Sequence, residues 1–130
     1  MKKLYEIARK NIKNAYAPYS KFRVSAALKL KNGEVYKGVN VENAAYGLCN
    51  CAERSALFAA YSNGVRKDDI DSLLVYTDKE HFVSPCGACR QVISELMPED
   101  AKIILANNKG EFQEIINKEL LPYGFTSEDL

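Results

Sequence analysis

Two short cysteine-bearing segments constrain this chain more than any other feature: Cys51-Ala52-Glu53 and Pro85-Cys86-Gly87-Ala88-Cys89. Each falls where a helix is expected to begin. A helix start presents unpaired N–H groups and a partial positive charge, and both favour thiolate over thiol. If the thiols serve one centre, the fold must bring two helix starts together on one side of a sheet.

The intervening pattern allows that fold. Leu4, Ile7, Ala8, Ile12 and Ala15 recur at helical spacing, so the chain opens on an amphipathic helix that Pro18 and Ser20 terminate. Val24 to Leu30 reads as a strand, Lys31-Asn32-Gly33-Glu34 as a two-residue hairpin turn, and Val35 to Val41 as the returning strand. From Asn50 or Cys51 the segment CAERSALFAAYSN is expected to be helical, with Gly64 as its stop. Ser72 to Thr77 suits a buried strand, and Pro85 suits the first position of a helix that Pro98 closes. Lys102 to Ala106 and Glu111 to Ile116 complete a second hairpin, and the tail holds a short helix and a Pro/Gly turn. The expected fold is α/β: a three-layer α/β/α domain spanning residues 1–130 around one mixed five-stranded sheet. Its parts are an antiparallel N-terminal hairpin, a central parallel pair with a right-handed crossover, and a C-terminal hairpin strand.

Composition narrows the class. The chain has 130 residues, 47% of them apolar, and a formal net charge of +1. That balance gives no global field to attract nucleic acid or a membrane surface. The basic opening MKKLYEIARKNIKNAY lacks the apolar run of a signal peptide, and the expected location is the cytoplasm. Four cysteines in a reducing compartment point to metal or redox chemistry rather than to a disulfide framework.

Three thiolates from Cys51, Cys86 and Cys89 suit one zinc ion and leave a fourth position open for water. Such a centre carries excess negative charge, which Arg54, one turn after Cys51, is placed to offset. Glu53 lies about 200° around the helix from Cys51, so it is a candidate general acid/base rather than a ligand. Other readings stay open from the residues alone. A closed four-thiolate site would add Cys49, and a thioredoxin-like protein would use only Cys86-Gly-Ala-Cys89.

Zinc deaminases carry a His-x-Glu or Cys-x-Glu segment followed by Pro-Cys-x-x-Cys. Together with VNVENAAYGLCNCAERSALFAA and SPCGACRQVISEL, the chain resembles the small, three-cysteine cytidine deaminases from Phe22 to the tail. The resemblance implies hydrolytic deamination of cytidine and deoxycytidine in pyrimidine salvage, with one zinc per subunit. Glu53 would move a proton to N3 and then to the departing ammonia, and the Ala52 N–H would hold the base carbonyl. Asn40 and Glu42, two apart on a strand and so facing one side, would bind the ribose hydroxyls. Phe22 would pack on the pyrimidine, and Ser84 would join the substrate pocket. Tyr46 and Phe125 would be lent by neighbouring subunits of a homotetramer. A deaminase of RNA or single-stranded DNA would share the zinc site but would want a basic groove lined with stacking aromatics; a deaminase of blasticidin-type nucleoside antibiotics is the nearer alternative. Cys49 and His81 receive no role.

Overall fold

The structure, a computed structural model, describes residues 1–130. Three helices, α1 (Lys2–Asn11), α2 (Ala52–Ser62) and α3 (Gly87–Leu96), accompany five strands: β1 (Val24–Leu30), β2 (Val35–Val39), β3 (Ile70–Thr77), β4 (Lys102–Ala106) and β5 (Phe112–Ile116). The strands form one sheet in the order β2-β1-β3-β4-β5. Only β3 and β4 run parallel, and β1 pairs antiparallel with both β2 and β3. The expected mixed sheet is therefore present.

Two apolar clusters make the three layers. On one face, Leu4, Tyr5, Ala8 and Ile12 of the N-terminal segment pack on Ala27, Leu74, Tyr76 and Ile104. On the other, α2 (Ala52, Ala56, Leu57, Ala60) and α3 (Cys89, Ile93) pack on Ala26, Leu28, Leu73, Val75, Ile103 and Leu105. Alternate residues of β1, β3 and β4 thus serve opposite cores, which is why these strands read as near-continuous apolar runs. Both cysteine-bearing helices share the second face. Gly38 of β2 sets how closely α2 lies: a Cβ there would stand 2.5 Å from the Ala56 nitrogen and 2.7 Å from the Ala52 carbonyl oxygen.

Several expected boundaries shift. The first hairpin has three loop residues, 31–33, because Lys29 pairs with Val35 and the Leu30 N–H donates to the Glu34 carbonyl at 2.9 Å. Gly33 supplies the required positive φ of 93°. Strand β2 stops at Val39 rather than Val41. There the Asn40 side chain enters the ladder, its Oδ1 taking the Val24 N–H at 2.9 Å. Pro85 lies outside α3: Cys86 is the extended cap residue and Gly87 the first helical one. Likewise Cys51 caps α2, and Gly64 with φ 90° follows its end as expected. The opening helix ends at Asn11 and tightens to a 3-10 turn at Ile12–Asn14.

Candidate active site

Both cap positions leave their thiols free, since neither Cys51 nor Cys86 makes a side-chain capping bond. The Sγ atoms of Cys51, Cys86 and Cys89 lie within 4.8 Å of one another, and those of Cys51 and Cys86 are 3.7 Å apart. Tetrahedral zinc with Zn–S bonds of about 2.3 Å holds its sulfurs about 3.8 Å apart. The donor set therefore fits zinc in chemistry and spacing. Cys89 is buried, Cys51 half-buried and Cys86 exposed, so the cluster opens on one side.

Charge is arranged around these sulfurs as the sequence suggests. The Arg54 Nη2 donates to Cys51 Sγ at 3.4 Å. Hydrogen bonds from Cys89 and Arg54 hold the Cys51 thiol down to about 5, although burial opposes them. Donation to Cys51, reinforced by burial, pushes the Cys89 thiol far up. The same contacts raise the Arg54 guanidinium above its ordinary value, so it stays charged.

Glu53 is 4% exposed. Burial, followed by the charge of Cys51, pushes its carboxyl up to about 7, which is where a proton-shuttling group works best at neutral pH. The first intrahelical bond of α2 runs from the Ser55 N–H to the Cys51 carbonyl. The N–H groups of Ala52, Glu53 and Arg54 therefore stand ahead of the helical ladder.

A cleft of about 300 Å3 reaches this centre and includes Cys51, Ala52, Glu53 and Cys86 in its lining. Phe22, Val24, Asn40, Glu42, Val83 and Ser84 line the rest, together with Ser20, Cys49 and Asn50. Asn40 and Glu42 both face the cleft although β2 has ended. Val41 keeps the chain extended through backbone bridges to Tyr16 and Asn50. The Glu42 carboxylate accepts from the N–H groups of Tyr19 (3.0 Å) and Ser20 (3.1 Å) and from the Ser20 hydroxyl. Hydrogen bonds, led by the Ser20 hydroxyl, lower its pKa. The Asn40 amide bridges the Val24 N–H and the Phe22 carbonyl, the latter at 2.8 Å.

Two expected site residues do not reach the cleft within this chain. Tyr46 is 74% exposed, with its ring edge-on to Tyr19. Phe125 lines a separate groove of about 380 Å3 between α3 and the tail, which contains neither Glu53 nor any of the thiols. Cys49 lies outside the thiol cluster: its sulfur instead accepts the Asn43 N–H at 3.2 Å. His81 is exposed, with its ring centroid 6.1 Å from that of Phe22, and it does not line the cleft.

Sequence reasoning missed two residues, Ser20 and Arg90. Arg90 donates to the Ser84 hydroxyl, the Pro85 carbonyl and the Leu120 carbonyl, fixing the loop ahead of Cys86. Its place immediately after Cys89, a full turn beyond Cys86, was the available signal. In the sequence Ser20 carries only the signal of a helix stop.

Comparison with known proteins agrees with this geometry. Residues 1–106 match the family described as the cytidine and deoxycytidylate deaminase zinc-binding region. A cytidine deaminase of Halalkalibacterium halodurans is 56% identical over 89% of this chain and 86% of its own. One from Sporosarcina psychrophila is 48% identical over 100% of this chain and 94% of its own. The crystal structure of a cytidine deaminase from Burkholderia pseudomallei superposes with a TM-score of 0.91 at 44% identity, covering 95% of this chain and 98% of that one. A blasticidin-S deaminase of Bacillus cereus is more distant, at 33% identity over 95% of this chain and 90% of its own.

Proposed function

The chain belongs to the cytidine and deoxycytidylate deaminase family, and on that premise we propose that it hydrolyses the 4-amino group of cytidine and deoxycytidine. The observation that carries this reading is the buried Glu53 lining the same cleft as Cys51 and Cys86, whose sulfurs converge with that of buried Cys89. Zinc held by Cys51, Cys86 and Cys89 would supply the Lewis acidity that lowers the pKa of water.

The remaining chemistry falls to the chain's own groups. Glu53, poised near neutrality, takes a proton from the attacking water as its oxygen bonds to C4, and delivers it to N3. It then takes the proton of the new C4 hydroxyl and passes it to the amino nitrogen as the C4–N bond breaks, so that ammonia leaves and uridine or deoxyuridine remains. The Ala52 N–H, ahead of the helical ladder, donates to the base carbonyl. Phe22 offers an apolar face to the ring, and Ser84, which lines the same cleft, joins the substrate pocket. Arg54 offsets the negative charge of the thiolates. Asn40 and Glu42 meet the sugar hydroxyls with the donor and acceptor capacity they have left.

Exposed Tyr46, Leu48 and Phe125 support assembly into a homotetramer in which Tyr46 and Phe125 complete neighbouring clefts. No helix is long and apolar enough to cross a membrane. Four cysteines outside any disulfide support a reducing, cytoplasmic setting, and deamination of a free nucleoside suits a role in pyrimidine salvage.

The test is Glu53→Gln. It should retain one zinc per chain while ammonia release from cytidine falls by about 10²–10⁴-fold. A fully active Glu53→Gln enzyme overturns the mechanism. Blasticidin S, assayed beside cytidine, should be turned over far more slowly.

A further inference from the structure

Glu42 is held by three hydrogen bonds, and all three come from a turn remote in sequence. Its Oε1 accepts the N–H groups of Tyr19 at 3.0 Å and Ser20 at 3.1 Å, and its Oε2 accepts the Ser20 hydroxyl. That hydroxyl is itself oriented, because the Ser20 Oγ accepts the Phe22 N–H at 3.0 Å. A serine hydroxyl has one proton to give, and with the Phe22 N–H on its acceptor side the proton is directed at Glu42. The turn that makes this possible passes through Lys21 with φ 59°, a left-handed conformation that costs a non-glycine residue about 1 kcal/mol or more. The chain retains that cost at a position where the clasp is closed.

An ionised carboxylate offers about four lone-pair sites. Three are taken, so about one remains for a ligand, and its direction is set by the other three. We propose that Ser20 is a positioning residue for the reaction, fixing the rotation of the Glu42 carboxylate so that its one free site meets a sugar hydroxyl. This rests on the assignment of Glu42 to the sugar. Ser20 lines the same cleft, but it acts through Glu42 rather than on the substrate.

The test compares kcat and KM for cytidine and for 2′,3′-dideoxycytidine, which lacks the hydroxyls Glu42 would meet. Zinc content and Tm are measured on every variant. Ser20→Ala should lower kcat/KM on cytidine roughly tenfold, mainly through KM, and change it less than about twofold on dideoxycytidine. Ser20→Thr, which keeps a hydroxyl, should restore the cytidine preference. In a Glu42→Gln background, Ser20→Ala should have no further effect on that preference. Equal loss on both substrates, no loss on cytidine, or failure of Ser20→Thr to rescue overturns the role of Ser20. If Glu42→Gln itself leaves the preference unchanged, the sugar assignment has failed, and the proposal falls with it for that separate reason.

Discussion

The two ends of the cleft are built by different means. At the thiol end, every group sits at the start of a helix packed on the sheet, and Ala52, Cys89 and Glu53 are buried. At the sugar end, Ser20, Asn40 and Glu42 lie on irregular chain and are held by side-chain hydrogen bonds. The first end gets its precision from packing and helix geometry, the second from polar contacts that solvent can reach. Substitutions at the thiol end should therefore abolish the site, and those at the sugar end should loosen it.

The sharpest break is Cys89→Ala. It removes a fully buried sulfur from a set of three, and zinc per chain by elemental analysis should fall close to zero, with deamination down by about 10³-fold or more. Cys49→Ala, outside the cluster, should leave zinc unchanged; loss of zinc there would mean that a fourth thiolate belongs to the site. Gly38→Ala tests the packing beneath the thiol end. Its Cβ must displace the backbone of α2, so destabilisation of about 1–3 kcal/mol is expected, read as a lower Tm together with weaker zinc retention.

Metal-free protein offers a test of the buried carboxyl by pH. The Glu53 pKa is about 7 when folded against 4.5 when free, so its contribution to stability is full below 4.5 and is lost as pH rises through 7. Cys51 behaves oppositely: held at about 5 against 9.0, it contributes above 9.0, and that contribution is lost as pH falls through 5. Between 5 and 7 the two oppose each other. Glu53→Gln should therefore gain stability with rising pH relative to the unchanged protein, by up to about 1.4 kcal/mol per pH unit in denaturant melts. Parallel curves would mean that Glu53 is not held protonated. The smallest effect belongs to the sugar end: Glu42→Gln should raise KM for cytidine about tenfold and leave kcat within a few-fold.

The same contrast explains what could be read from the sequence. Cys86 and Cys89 share one turn, and Cys51, Ala52 and Glu53 are adjacent, so their geometry follows from a helix start alone. The two hairpins and the central parallel pair also follow from apolar runs and turn residues, whereas the antiparallel seating of β1 beside β3 leaves no mark in the pattern. The pattern runs β2 two residues too far, because nothing in it reveals that the Asn40 side chain takes the Val24 N–H at the last rung. Pro85 looked like a first helical residue, but Cys86 in extended conformation takes the cap. The Glu42 clasp joins residues 22 and 23 positions apart through side-chain and main-chain groups, a pairing that leaves no periodic trace. Tyr46 and Phe125 were assigned to the site by resemblance, and within one chain neither reaches the cleft.

The separation of the thiols has a consequence for how the molecule comes apart. Cys51 and Cys86 are 35 positions apart in the chain, and the segment between them contains α2 and β3, the strand at the centre of the sheet. An ion gripping both ends turns that segment into a closed ring, and the two helix starts can then separate only if the ion is released. Fraying from either terminus would stop at the ring, and the element beneath the cleft would open last. Metal supply would then govern lifetime as well as turnover: a chain short of zinc would lose its clasp against local opening before it lost its fold.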